Sequence, residues 1–206
     1  MNSTIYLIRH STTSGNVGDW YYGALDVPLV PEGIEKLEKL KDEGIYPSPE
    51  DADIYTSGML RTEQTLETIY GKVPHRVIEE FREYNFGIFE GKTYEELVEM
   101  PEFPLFHNDT TNDYVIPEGE SRNIFEKRVL LGWNKLLGFH RLKELSHRHS
   151  GLDAISIVIC HGGVIDRIMH SIFGTEDDLR YQWTPDTGRG YAIEFVNSDP
   201  VSYKAL

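Results

Sequence analysis

Two histidines stand where apolar, strand-like runs stop. Ile5-Tyr6-Leu7-Ile8 runs into Arg9-His10-Ser11-Thr12-Thr13-Ser14-Gly15-Asn16, and Ala154-Ile155-Ser156-Ile157-Val158-Ile159-Cys160 runs into His161-Gly162-Gly163. In an open α/β sheet, ligands bind just beyond the carboxyl ends of the strands, so both histidines fall where chemistry is usually done. Arg9 brings a permanent, forked charge suited to a phosphate group. His10 brings a ring nitrogen that is uncharged, and so nucleophilic, in a good fraction of molecules near neutrality. Thr13 and Asn16 can donate to phosphate oxygens. Gly162 and Gly163 open a helix-like stretch and let backbone and ligand approach closely. Two strands ending this way could place both rings around one anion.

The elements that must position these residues alternate between strand and helix. After the first strand, residues 14–22 read as a short helix and then a loop carrying Trp20, Tyr21 and Tyr22. Pro31-Glu32-Gly33 opens a helix with Ile34, Leu37 and Leu40 as its apolar stripe and Gly44 as its stop. A strand over 53–56, a helix over 60–70 ending at Gly71, and a short strand at Val77-Ile78 follow. Glu120-Ser121 starts a long helix with Phe125, Val129, Trp133, Leu136 and Leu137 on one side, running towards Leu145. Residues 190–196 alternate as a late strand, with 201–204 as its partner. This order predicts a three-layer α/β/α fold with a mostly parallel central sheet. From Glu83 to Tyr114 the pattern turns irregular and aromatic. It reads as a small cap insertion, roughly residues 83–120, over the carboxyl edge of a single domain spanning 1–206.

At 206 residues, with 39% hydrophobic and 26% charged residues, the chain can bury a sizeable core. A net charge of −14 argues against nucleic acid and anionic membranes as partners. Any phosphate site must then be a local basic patch. The single Cys160 fits a reducing compartment and ends a buried strand pattern, where it packs as a small hydrophobe. No apolar run reaches membrane-spanning length, and Met1 leads straight into a strand without a leader, so a cytoplasmic location is expected. His140, His147 and His149 lack an acidic or cysteine partner at ligand spacing. They read as a polar helix end, and no metal site is expected.

Leu7-Ile8-Arg9-His10 with Thr13 and Asn16 resembles the "RHG" signature of the histidine phosphatase superfamily, the phosphoglycerate-mutase-like proteins. Gly23-x-x-Asp26-x-Pro28-Leu29-x-x-x-Gly33 is similar to the family segment after the first helix. Tyr55-Thr56-Ser57-Gly58-Met59-Leu60-Arg61-Thr62-x-Gln64-Thr65 resembles its "SxxxRxxQT" element. Glu83 with Phe86-Gly87-x-x-Glu90-Gly91 resembles its acid-bearing loop, and Gly119-Glu120-Ser121 with Arg128 its "GES" helix start.

The resemblance implies a phosphomonoesterase that works through a phosphohistidine on His10, without metal or other cofactor. Arg9, Arg61 and His161 would surround the phosphoryl oxygens, with His161 an electrostatic donor, doubly protonated beside the anion. Glu83 would be general acid and then base; Glu79 and Glu80 are neighbouring carboxylates. Thr13, Asn16, Gly23 and Gly162 match positions around the phosphate or substrate. Two departures stand out. Ser11-Thr12 replaces the family's usual Gly-Glu, and residues 107–116 hold no basic residue besides His107, where the mutases carry paired arginines. The second favours hydrolysis of a small phosphomonoester. Trp20, Tyr21, Tyr22, Phe103 and Phe106 suggest a partly apolar leaving group, nucleoside-like or aryl. A cofactor-dependent phosphoglycerate mutase and a catalytically quiet phosphate-binding module stay as alternatives, and a homodimer stays open.

Overall fold

The computed structural model describes residues 2–175 and 181–206. Six strands, β1 (Ser3–Arg9), β2 (Asp53–Thr56), β3 (Arg76–Val77), β4 (Ala154–Cys160), β5 (Gly190–Val196) and β6 (Asp199–Ala205), form one sheet in the order β3-β2-β4-β1-β5-β6. The first four of that order pair in parallel; β5 runs antiparallel to β1, and β6 to β5. The expected mixed α/β layering is therefore present, with an antiparallel hairpin closing one side.

Alternation along the strands separates two cores. Ile5, Leu7, Tyr55, Val158 and Cys160 pack on one face with Phe125, Val129 and Trp133 of α6 (Arg122–His147) and with Val164, Ile165 and Ile168 of α7 (Gly162–Phe173). Ile8, Ile54, Ile157 and Ile159 pack on the other with Leu66 of α3 (Leu60–Tyr70). Burying one such side chain contributes about 1.5–3 kcal/mol. The small first helix, α1, is Ser14–Val17, and α2 is Pro31–Asp42. In α2, Leu37 and Leu40 are buried as expected, but Ile34 is 37% exposed. Gly33 takes the inward position instead, because its Cα lies against the backbone of Thr12. The third strand is Arg76–Val77 rather than Val77-Ile78: Ile78 donates its amide to Thr56 O and turns its side chain into the core. Between β3 and α6 the chain forms two 3-10 turns and two short helices, α4 (Tyr94–Leu97) and α5 (Phe103–His107). Among the described residues no helix is long and apolar enough to cross a membrane.

One histidine departs from the sequence reading. His140 is not part of a polar helix end but 1% exposed, deep between α6 and the sheet. Ser3 Oγ donates to Glu144 Oε1 (2.6 Å), so it accepts from His140 Nε2 (2.9 Å), and Ser156 Oγ donates to Nδ1 (2.8 Å). Burial holds the ring at a pKa of about 4, against 6.5 when unfolded. A folded pKa below the unfolded one means stability is full above pH 6.5 and declines as pH falls towards 4. The site is expected to remove roughly 2–3 kcal/mol between pH 7 and 4.5. Denaturant melts at the two pH values check this. A His140→Gln variant should lose that share of the pH dependence, and an unaltered slope would refute the assignment.

Candidate active site

The sheet register sets the site. Leu7 pairs with Val158, Ile8 with Ile159 and Arg9 with Cys160, so the next residues out, His10 and His161, emerge side by side. His10 N donates to Cys160 O at 2.9 Å, and the ring centroids are 5.2 Å apart. Both rings are buried, at 3% and 0% exposure. His10 Nδ1 lies 2.7 Å from Ser11 O, a carbonyl that can only accept; Nδ1 carries the proton and Nε2 keeps its lone pair. Burial, Arg61 and Arg9 push the His10 pKa well below 6.5. The neutral, nucleophilic form therefore dominates at neutrality, more completely than the sequence suggested.

Burial, then Arg61 and His10, push the His161 pKa well below 6.5 as well. Arg61 Nε donates to its Nδ1 at 3.2 Å, which leaves the proton on Nε2, facing Ser57 Oγ at 2.8 Å. From Ser57 the chain passes to Thr62 Oγ1 (3.1 Å), which donates to Met59 O (2.7 Å). Arg61 itself is fully buried. Its Nη2 donates to Gly23 O at 2.8 Å and its Nη1 to Leu25 O at 3.1 Å, with Asp26 3.7 Å away.

Glu83 reaches the same edge. Its Oε2 accepts from Gly163 N at 2.9 Å, in the first turn of α7, and its Oε1 from Tyr84 N at 2.9 Å. The neighbouring carboxylate Glu80 instead pairs outward with Lys135 at 3.2 Å. Arg128 fixes the turn that carries Glu83 by donating to the carbonyls of Glu80, Arg82 and Glu83, while Glu120 accepts its Nη2 at 2.6 Å. Gly163 is a residue the sequence reading left out of the candidate set. A Cβ there would lie 2.6 Å from Glu83 Oε1. Gly163→Ala is expected to displace the carboxylate and lower kcat by about 10–100-fold. Steady-state rates on any hydrolysed ester check it; a variant within twofold of wild type would refute the pairing.

A cavity of about 660 Å³ opens above this edge. Arg9, Asn16, Tyr22, Glu83, Gly162 and Gly163 form the part nearest the histidines, and Trp20, Tyr21, Phe86, Phe106 and Phe125 add aromatic walls. Phe103, expected among them, is buried behind, edge-on to Tyr21 and Phe89. Among the described residues five buried side-chain polar atoms lack a partner, and three of them, Arg9 Nε, Thr184 Oγ1 and Arg122 Nε, belong to residues lining this cavity. Arg122 and Arg167 bring to this cavity the cations that residues 107–116 lack. They come from α6 and α7, and only the position of Arg122 directly after Gly119-Glu120-Ser121 signalled it.

The remaining candidates divide. Thr13 caps α1 and is occupied by Asn16 and Tyr22 Oη (2.7 Å), so it shapes the loop while Asn16 faces the cavity. Gly23 points its amide at Glu90 (2.9 Å) and its carbonyl at Arg61. Glu90 also accepts from the amides of Ala24, Leu25 and Phe86. The Ser11-Thr12 departure is absorbed structurally: Ser11 Oγ donates to Gly33 O (2.7 Å), Ser11 N to Thr65 Oγ1 (3.1 Å), and Thr12 Oγ1 meets Thr187 Oγ1 (3.0 Å). Cys160 is buried, and burial pushes its thiol pKa up, in keeping with a packing role.

Paired histidines at adjacent strand ends, two arginines and a carboxylate hydrogen-bonded to the first turn of α7 stand together at one edge of the sheet. The chain belongs to the histidine phosphatase superfamily (branch 1), whose family pattern matches residues 5–203. It is 26% identical to the adenosylcobalamin/alpha-ribazole phosphatase of Escherichia coli K12, over 92% of this chain and 89% of that one. It is 28% identical to "Probable phosphoglycerate mutase GpmB" of Proteus mirabilis, over 92% and 90%. Among solved structures it is similar to Bacillus stearothermophilus YhfR, with a TM-score of 0.75 at 26% identity, covering 97% of this chain and 94% of that one.

Proposed function

We propose that the protein hydrolyses a small phosphomonoester through a phosphohistidine on His10, with no metal required. The observation that carries this reading is the state of His10: Nδ1 is spent on Ser11 O, and burial beside two arginines keeps the ring neutral. Nε2 attacks phosphorus in line with the leaving oxygen, and the P–O bond breaks as the N–P bond forms. Arg9 and Arg61 supply positive charge for the three equatorial oxygens, and His161 adds its Nε2–H by exchanging Ser57 Oγ for a phosphoryl oxygen. Glu83, protonated at that moment, gives its proton to the leaving alcohol. The carboxylate then takes a proton from water as that water attacks phosphorus, releasing phosphate and restoring His10. Phosphatases among the relatives, the aromatic walls and the irregular 83–120 segment support a partly apolar leaving group under a cap on a single domain, and a lone buried Cys160 supports a cytoplasmic setting.

Phosphate release from para-nitrophenyl phosphate in EDTA tests the reading. Turnover that survives chelation is the expected result; turnover that needs a divalent cation would overturn it. A second reading, phosphoglycerate mutase, draws on Arg122 and Arg167 lining the cavity. Phosphate transfer between positions 2 and 3 of glycerate, dependent on bisphosphoglycerate, would establish it instead.

A further inference from the structure

The longest helix keeps apolar side chains on the side it turns to solvent. The inner face of α6 packs through Phe125, Val129, Trp133 and Leu136. On its outer face Ile124, Leu131, Leu142 and Leu145 are 48–64% exposed, where polar residues are the rule. Ile124, Leu131 and Leu145 stand in one line with Gly138, at steps of seven residues, or two helical turns. Gly138 is the only glycine of the described helices at which an added Cβ would meet nothing within 4 Å. Nothing in this chain therefore requires the roughly 1 kcal/mol that it costs the helix against alanine. A second chain crossing close to α6 would require it. The exposed charges on this face are Lys127, Lys135 and Arg141, and none is acidic, on a chain of net charge −14. Lys127 and Arg141 have no ion pair among the described residues.

The complement lies on the segment between β3 and α6. Tyr94, Val98 and Leu105 are exposed there, with Glu95, Glu96 and Glu99 exposed beside them. Residues 94–105 hold no lysine or arginine. The two surfaces are neighbours, since Arg122 at the start of α6 donates from Nη1 to Phe106 O of α5 at 3.0 Å. We propose that the protein forms a two-fold dimer in which the acidic face of residues 94–105 of each copy lies on the basic face of α6 of the other. A two-fold axis makes both contacts at once, acid against base in each. Laying α6 on α6 would oppose Lys127 and Arg141 to their own copies, and laying 94–105 on itself would oppose glutamates. An anionic membrane would suit α6 but repel the rest of a chain of net charge −14. The inference is independent of the reaction. It bears on the site all the same: α5 carries Phe106 and His107, which line the cavity above His10, so the second copy would brace that wall.

Sedimentation velocity at about 100 µM chain and low salt should give a dimer that loosens as salt screens the charges. One variant carries Lys127→Glu with Arg141→Glu, and another carries Glu95→Lys with Glu99→Lys. Each alone should raise the dimer Kd by about 100-fold or more, because like charges then meet in both contacts. Mixed in equal amounts, the two variants should dimerise as wild type does. An α6 made acidic then meets a 94–105 face made basic, and the two unaltered faces meet as before. Gly138→Trp, whose side chain has open space in the monomer, should also dissociate the dimer. Far-ultraviolet circular dichroism should be unchanged in every variant, which separates lost docking from lost folding. Wild type that stays monomeric at low salt, a dimer that survives both pairs of reversals, or folded variants that stay apart when mixed each overturns the assignment. Capture of monomeric wild type by phosphatidylglycerol vesicles, lost in the α6 variant, would overturn it too and give the α6 face to a membrane.

Discussion

Replacing His10 by asparagine is expected to abolish turnover, by at least about 10⁴-fold in kcat, with the fold retained. The scale is that of deleting a covalent nucleophile. Asparagine keeps a donor near the place of Nδ1 and can satisfy Ser11 O, which His10 meets at 2.7 Å. It also removes a buried ring that must stay neutral, so stability should hold at pH 7. Two measurements decide the matter. Wild type quenched during turnover should carry acid-labile phosphate on one histidine, and the variant should carry none. A variant with more than about 1% of wild-type activity would show that the phosphoryl group never passes through His10.

The second large effect is expected far from phosphorus. Glu90 accepts from the backbone amides of Gly23, Ala24, Leu25 and Phe86 at 2.9–3.1 Å. That loop in turn offers the carbonyls of Gly23 and Leu25 to Arg61. Glu90→Ala should therefore destabilise the protein by about 3 kcal/mol, because four amides lose a charged acceptor and water replaces only the exposed part. Activity should fall by about 100-fold or more, through loss of Arg61 alignment rather than loss of any group that touches substrate. Urea unfolding and kcat on the same preparation check both. A destabilisation below about 0.5 kcal/mol would mean that the loop holds itself.

What could be read from the chain without a structure follows the range of the interactions. β1 and β4 were legible because continuous runs such as Ile155 to Ile159 admit few other conformations, and α3 because Gly71, at φ 74°, stops it. His10 and His161 were legible for the same reason, standing within two residues of where those runs end. Ile34 was misplaced because helical periodicity marks a face without saying where that face ends; Gly33, forced against Thr12, rotates α2 away from it. His140 was misread because its partners Ser3 and Ser156 lie on two strands distant in sequence. The four amides held by Glu90 and the contact of Glu83 with Gly163 escaped for the same cause: each joins residues that only folding brings together.

The pairing of Arg9 with Cys160 has a wider consequence. The two histidines are spaced by backbone hydrogen bonds within the sheet, an arrangement that no loop has to maintain. The recognition end of the cavity draws largely on the segment between β3 and α6 and on the start of α6 itself. Its hold on the reactive end runs through Glu83, Glu90 and Arg128. Chemistry and selectivity are thus mechanically separable: mutation can rework the rim freely, provided those three anchors survive. A lineage built on this plan can change what the rim admits while the paired histidines stay where the sheet puts them.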